Sequence, residues 1–306
     1  MIANPTVLIL GAGASMDYGF PLGKGLRDLV CSIKDDATAG IIQSAGYSLG
    51  SLFEFIGALR HSGFTSVDWF LEERPEYIDI GKAAIAASLI PFENPDKLFP
   101  PSAPQKHWYE LFLNVLDQPI GSFDSNNLSI ITFNYDRSLE HYLFSTLRER
   151  YRSDERAVEV MNQFPIVHVH GSLGDLIPLK SSGREYNHEL NPESIQIAAS
   201  DIIIVGEASG ETPEFEKARA LLSEAKRIVF LGFGYHPESV KRLGIFNEPW
   251  SEEMRKNVRV GGTSREIPAH IWNTIQANVL NGAFPARNRK VDPVYRYLNE
   301  AEPLNE

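Results

Sequence analysis

Short apolar segments that end in small or polar residues recur along this chain, and this recurrence constrains its fold more than any other feature. Four of these segments are clear predicted strands, Thr6–Leu10, Leu128–Phe133, Ile166–His170 and Arg227–Leu231, and weaker strand signals cover Asp201–Val205 and Val258–Val260. Segments with helical periodicity follow most of them. This alternation predicts an α/β fold with a doubly wound, Rossmann-like parallel sheet. Ligands of such sheets bind at the carboxyl ends of the strands, where the turns lie.

The segments between the strands carry the apolar stripes of amphipathic helices. Helices are predicted at Gly23–Lys34, Ser138–Tyr151, Pro192–Ala199, Pro213–Ala225 and Pro268–Asn281. From about 36 to 120 the strand signals fade, and four apolar stripes at helical spacing follow one another. We therefore expect one domain over residues 1–306, with a helical insertion at about 36–120.

Composition excludes several classes of function. The 306 residues carry a net charge of −11, which argues against a broad nucleic-acid-binding surface, and we expect no direct nucleic-acid binding. No segment reaches the length of an apolar membrane span. The single cysteine, Cys31, allows neither a disulfide framework nor a four-cysteine zinc site within one chain, and it fits the reducing cytoplasm.

The first predicted strand ends in a glycine turn that is suited to binding phosphate. Thr6–Leu10 is followed by Gly11-Ala-Gly13-Ala-Ser15. Glycines let the backbone turn sharply and approach a diphosphate, and the N–H groups that follow can bind its oxygens. The dinucleotide fingerprint of dehydrogenases has a third glycine where this chain has Met16. The turn is thus not the dehydrogenase type, and a purely structural glycine turn is the alternative.

Polar residues alternate at the end of the second predicted strand. Thr132, Asn134 and Asp136 point to one side if the extended conformation continues. Their side chains can bind a ribose hydroxyl, a water molecule and a carboxamide. The alternative is that Asn134 and Asp136 only cap the helix that begins near Ser138.

Two histidines, His168 and His170, end the third predicted strand. An i, i+2 pair in a strand faces one way and can hold a metal ion, but no third ligand is evident. A single catalytic histidine, His170, is the preferred interpretation, with His168 lying deeper and bonded locally.

Taken in order, these motifs resemble those of the sirtuin (SIR2) family. The matching segments over residues 5–265 are Gly11–Ser15 with Gly19-Phe-Pro21, Thr132-Phe-Asn134-Tyr-Asp136, His170-Gly171 and Gly232-Phe-Gly234-Tyr235. The chain is most similar to the bacterial SIR2-like group, several of whose members are NAD-depleting antiphage defence proteins. Ser66–Leu71 and Gly81–Ile85 are similar to helical insertions in that group.

The resemblance implies which residues bind NAD. The implied binding residues are Gly11, Ala12, Gly13 and Ser15 around the diphosphate, Pro21 beside them, and Gly232, Phe233, Gly234, Thr263 and Ser264 on the adenosine side. It also implies that Asn134 orients the nicotinamide ribose and a nucleophile, and that Asp136 accepts a hydrogen bond from the nicotinamide amide. By the same resemblance His170 contacts the ribose hydroxyls and acts as general base.

The resemblance implies an NAD hydrolase that cleaves the nicotinamide–ribose bond to nicotinamide and ADP-ribose. Sirtuin deacylases continue after Gly-x-Pro with Asp-Phe-Arg and carry four zinc cysteines, whereas this chain has Leu22-Gly23-Lys24 and one cysteine. We therefore expect no zinc and no resident metal, because NAD cleavage needs none. The alternatives are an NAD-dependent protein deacylase or ADP-ribosyltransferase, and a noncatalytic subunit that senses NAD or ADP-ribose.

Free NAD hydrolysis would deplete the host cell, so the resemblance also implies that the activity is gated. We expect gating by homo-oligomer assembly or by a separate sensor or ATPase partner chain.

Overall fold

The computed structural model of the protein describes residues 2–34, 37–100, 107–117, 123–204, 212–245, 257–264, 267–278, 289–290, 293–301 and 304. Its centre is one six-stranded sheet in which every neighbouring pair of strands is parallel. The strands are β1 (Thr6–Leu10), β2 (Leu128–Thr132), β3 (Ile166–His168), β4 (Arg227–Leu231), β5 (Arg259–Thr263) and β6 (Arg289–Lys290). Their order, β3-β2-β1-β4-β5-β6, is that of a doubly wound Rossmann-like fold, and it confirms the predicted fold class.

The helices fall into two groups. Those before β2 are α1 (Gly23–Ser32), α2 (Ala37–Ser44), α3 (Leu49–His61), α4 (Val67–Glu73), α5 (Ile78–Leu89), α6 (Pro95–Leu98) and α7 (Trp108–Leu116). Those after β2 are α8 (Ser138–Tyr151), α9 (Asp154–Met161), α10 (Pro192–Asp201), α11 (Pro213–Glu224), α12 (Pro237–Leu243), α13 (Ala269–Asn278) and α14 (Val294–Ala301). None of the helices in the described ranges is long and apolar enough to cross a membrane.

The first strand lies at the middle of the sheet. β1 pairs with β2, where Thr6 lies opposite Leu128, and with β4, where Thr6 lies opposite Arg227. Every residue of β1 is buried, because helices cover both faces of the sheet. The strand order changes direction between β1 and β4, and a crevice for ligands opens at that point of such sheets.

The regular structure described between residues 37 and 116 is helical throughout, and α5 is its buried centre. Four alanines, Ala83, Ala84, Ala86 and Ala87, are buried on α5, and they let α1, α3 and α10 pack closely around it. The final helix of the segment, α7, contacts the first glycine turn, because the Trp108 indole donates a hydrogen bond to the Ala14 carbonyl at 2.7 Å.

A buried cluster of ion pairs also joins the helical segment to the sheet. Glu93 has 0% of its surface exposed and accepts two hydrogen bonds from Arg137, at 2.9 and 2.7 Å. Arg184 donates a third hydrogen bond to the same carboxylate. Arg137 directly follows the motif at the end of β2, so this cluster fixes that motif against the helices.

Two of the sequence predictions for strands are wrong. Within the predicted strand Asp201–Val205, the described residues 201–204 do not join the sheet: Asp201 ends α10, and Ile202 makes only an isolated antiparallel bridge with Gly171. Gly261 and Gly262 belong to β5 rather than to a turn after Val260. The backbone of Phe230 lies so close that a Cβ on Gly262 would be 2.3 Å from its carbonyl oxygen, so these glycines serve close strand pairing. Val205 and the predicted helix end at 279–281 lie outside the described residues.

Candidate functional site

The glycine turns after β1 and β4 pack directly against each other. Gly11 N–H donates to the Leu231 carbonyl at 3.0 Å, and Gly13 N–H donates to the Gly232 carbonyl at 2.9 Å. Gly232 has a φ of +60°, and a Cβ there would lie 2.1 Å from the backbone nitrogen of Ala14. The conformation and the close contact both require glycine at 232. These glycines therefore have a structural role, whatever the crevice binds.

Most N–H groups of the first turn are used inside the protein. Besides Gly11 and Gly13, Ala14 N–H donates to the Gly11 carbonyl at 2.8 Å, and Ser15 N–H donates to the Ala12 carbonyl at 3.2 Å. The N–H of Ala12 takes no part in these bonds. The turn consequently has fewer N–H groups left to bind an anion than the spacing of its glycines predicts.

Two cavities open at the carboxyl ends of the strands and meet at the packed turns. The first, of about 250 Å³, extends towards β2 and β3, and the second, of about 260 Å³, extends towards β5. Ala12, Phe233 and Gly234 line both cavities. The two cavities are thus adjacent at these shared residues, and together they make up the crevice at the point between β1 and β4 where the strand order reverses.

The predicted site residues divide among these cavities. The first cavity is lined by Gly11, Ala12, Asn134, His170, Phe233 and Gly234, and the second by Ala12, Gly13, Gly232, Phe233, Gly234 and Thr263. Four others, Ser15, Pro21, Asp136 and Ser264, line neither cavity. Pro21 lies just before α1, and Ser264 is buried beyond the end of β5.

Hydrogen bonds fix Asn134 against the first glycine turn. Its Nδ2 donates to the Gly11 carbonyl at 3.1 Å and to Ser15 Oγ at 3.0 Å. Its backbone N–H donates to Thr132 Oγ1 at 3.1 Å. The side chain of Ser15 therefore orients Asn134, whereas the resemblance implies that Ser15 contacts the diphosphate.

Asp136 is buried behind Asn134 rather than exposed to the cavity. Its carboxylate accepts hydrogen bonds from the backbone N–H and the hydroxyl of Ser138, at the start of α8. Burial raises the pKa of Asp136, and its hydrogen bonds with Ser138 and Ser15 oppose that rise. This arrangement is the helix-start role that the sequence leaves open as an alternative.

His170 reaches the first cavity because β3 ends at His168 and the chain turns. Its imidazole packs between Phe133 and Phe215, with ring centroids 5.5 and 5.9 Å away. Its Nδ1 is buried and has no hydrogen-bond partner among the residues that the structure describes. Burial lowers the pKa of His170 below its usual value, although the negative charges of Asp68 and Glu72 oppose that shift. The imidazole is thus neutral near neutral pH.

His168 has a different environment from His170, although it is only two residues away. Its Nδ1 lies 2.9 Å from the Asn134 carbonyl oxygen, and its Nε2 contacts the Glu140 carboxylate. Burial disfavours the charged ring, but Glu140 outweighs burial and raises the pKa of His168. The two imidazoles do not converge on one point, and no group of three metal-ligating side chains occurs in the described ranges.

Residues that sequence reasoning missed form the outer wall of the first cavity. Asp68, Trp69 and Glu72 come from α4, whereas His236 and Arg242 come from the start and body of α12. Glu72 and Arg242 form a two-bond salt bridge, with both distances 2.8 Å. The Trp69 and His236 rings meet edge to face at 4.7 Å. The i, i+4 spacing of Asp68 and Glu72 indicates one helix face, but no sequence signal shows that it faces Asn134.

The chain was compared with known proteins: no model of a protein family matches it, and no curated protein matches it either. The resemblance to the SIR2-like group therefore rests on the sequence motifs alone.

Proposed function

We propose that this protein is an NAD hydrolase of the SIR2-like type, which cleaves the nicotinamide–ribose bond to give nicotinamide and ADP-ribose. One observation carries the proposal. Asn134 and His170, which follow two neighbouring strands, line a single cavity, and a second cavity adjoins it at Ala12, Phe233 and Gly234. A dinucleotide needs a site of this form, with one pocket for each nucleoside and a connection between them for the diphosphate.

The crevice has the size and the position expected for NAD. Its two cavities together fall within the range of about 300–1,000 Å³ that is common for small-molecule sites. In the proposed pose the nicotinamide ribose occupies the cavity of Asn134 and His170, and the adenosine occupies the cavity beside Thr263. The diphosphate then crosses the glycine turns, where the N–H of Ala12 can donate a hydrogen bond to it.

Each polar group has a defined part in the proposed reaction. The C1′–N bond breaks, its electron pair leaves with neutral nicotinamide, and positive charge develops on the ribosyl C1′ and ring oxygen. Asn134, whose Nδ2 is already bonded to Gly11 and Ser15, orients a water molecule with its remaining amide oxygen. The water oxygen bonds to C1′ and its proton passes to neutral His170.

Gating remains part of the proposal, because unregulated NAD cleavage would harm the cell. We expect the rate per subunit to depend on assembly into homo-oligomers or on a partner chain. A rate per subunit that stays constant down to dilute monomer, without a partner, contradicts this gating.

The direct test is to incubate the purified protein with NAD and measure nicotinamide release by chromatography. Asn134→Ala and His170→Ala should each lower the rate about 100-fold or more, which is the usual contribution of a positioned acid–base group. Asn114→Ala and His188→Ala are the matched controls, because both residues are exposed and neither lines either cavity.

Variants at Asn134 and His170 that match the parent rate contradict the site assignment. A parent that binds NAD or ADP-ribose, but releases no nicotinamide at any protein concentration, is the noncatalytic sensor instead. Release that requires an acylated peptide identifies a deacylase.

A further inference from the structure

The first cavity contains a carboxylate that the proposed reaction does not yet use. Asp68, on α4 of the helical segment, lines the same cavity as Asn134 and His170. Its Oδ1 accepts a hydrogen bond from the Tyr135 hydroxyl, and its Oδ2 accepts one from Ser66 Oγ at 3.2 Å. Tyr135 lies between Asn134 and Asp136 in the β2 motif, so the carboxylate is fixed directly to that motif.

The other acidic groups of the cavity are less available to a ligand. Glu72 is neutralised by its two-bond salt bridge with Arg242. Glu238 is exposed, and its Oε2 lies 3.6 Å from the Nζ of Lys241. Asp68, by contrast, is held by two hydroxyl groups, and no cation lies within salt-bridge distance of it among the described residues. Since hydroxyl groups carry no formal charge, neither of these two donors offsets the charge of the carboxylate as a cation would.

The charge of NAD at its reactive end changes with oxidation state. The nicotinamide ring of NAD⁺ is a cation, whereas the dihydropyridine ring of NADH is neutral. When the C1′–N bond of NAD⁺ breaks, the positive charge passes from the ring to the ribosyl group, and it therefore remains in the cavity until water attacks. A fixed negative charge nearby favours both the bound cation and the developing one.

We infer that Asp68 is a specificity-determining residue, whose carboxylate makes the site select the oxidised dinucleotide over the reduced one. This inference rests on the proposed function, since it assumes that the nicotinamide end occupies the cavity of Asn134 and His170. The helical segment thus supplies a negative charge to the cavity that the strand-end motifs do not, because their carboxylate, Asp136, lines neither cavity.

The experiment compares ligands that differ in ring charge. Binding of carba-NAD⁺, NADH and ADP-ribose is measured by isothermal titration calorimetry; carba-NAD⁺ keeps the cationic ring but has a methylene group in place of the ribose oxygen, so it resists cleavage. Asp68→Asn removes the charge and keeps one acceptor oxygen for the Tyr135 hydroxyl, while its NH2 group can donate to Ser66 Oγ in place of the bond that Ser66 donates to the carboxylate. We expect it to weaken carba-NAD⁺ binding about tenfold, while NADH and ADP-ribose binding change less than about twofold.

Glu73→Gln is the matched control, because it removes the same charge from the exposed side of α4 and lies outside the cavity. It should leave the binding of all three ligands unchanged. If Asp68→Asn weakens the three ligands equally, Asp68 only anchors α4 and the inference is wrong, although the proposed function stands. A parent protein that binds none of the three overturns the proposed function itself.

Discussion

At the scale of single residues, the surroundings of each side chain decide its chemistry. His168 and His170 are two positions apart, but Glu140 raises the pKa of the first, whereas burial lowers the pKa of the second. Of the two, only His170 lines the first cavity, and burial favours its neutral form, which is the form that accepts a proton.

The lowered pKa of His170 predicts the acid limb of the pH–rate profile. A base is active when deprotonated, so nicotinamide release should persist below pH 6.5, the usual pKa of histidine, and be lost as the pH falls through the lower value in the folded protein. The groups that act on this imidazole are Asp68, Glu72, Arg242 and the Ile203 backbone. Since the charge of Asp68 raises the pKa of His170, Asp68→Asn should move the acid limb of the pH–rate profile to still lower pH. The measurement is kcat/KM against pH for parent and variant, and a limb that shifts to higher pH contradicts the assignment.

The sequence predicts the position of a residue better than the direction of its side chain. Asn134 and His170 were placed at the carboxyl ends of two strands of a parallel sheet, and the observed strand order makes those strands neighbours, which explains their shared cavity. Asp136 was expected on the ligand side because strand alternation was extended beyond Thr132, where β2 in fact ends. Past that point hydrogen bonds to Ser138 turn the carboxylate inward.

At the scale of elements, the two glycine turns form one unit. The turn after β4 packs against the turn after β1 through backbone atoms, so the shape of each depends on the other. Sequence reasoning identified both turns, but it assigned to ligand binding several glycines that also serve this contact.

Gly232→Ala should disrupt this unit strongly. The added Cβ meets the backbone nitrogen of Ala14 at 2.1 Å, and φ is +60°, so we expect a loss of about 3 kcal/mol or more in the free energy of unfolding. Gly234→Ala is the control, because a Cβ there meets nothing within 4 Å, and it should cost less than about 1 kcal/mol. Urea denaturation measures both, and equal losses contradict the role given to the contact.

The outer wall of the first cavity shows where prediction from sequence stops. Helical periodicity indicates the apolar face of α4, which packs inward, but it does not show which element the polar face meets. Here that face meets α12, through Glu72 and Arg242, which are 170 positions apart. Such a contact depends on how the helices dock and not on local pattern.

At the scale of the whole molecule, the Glu93 cluster joins the helical segment to the sheet. Glu93→Gln leaves Arg137 and Arg184 buried without their counter-charge. Breaking a buried ion pair in this way typically costs about 3–5 kcal/mol, and we expect that loss in the free energy of unfolding by urea. Glu159→Gln, at the exposed pair with Arg156, should cost less than about 1 kcal/mol. If Glu93→Gln is as stable as the parent, the cluster does not hold the two parts together.

The central place of β1 has a consequence for the time at which the site appears during synthesis. β1 pairs with β4, so Thr6 cannot pair until Arg227 has been made. Loop closure over so long a span is slow. The turn at Gly11 reaches its final shape only against Gly232. A nascent chain that ends before Gly232 has no complete crevice, and the proposed activity is therefore withheld at least until residue 232 has been made.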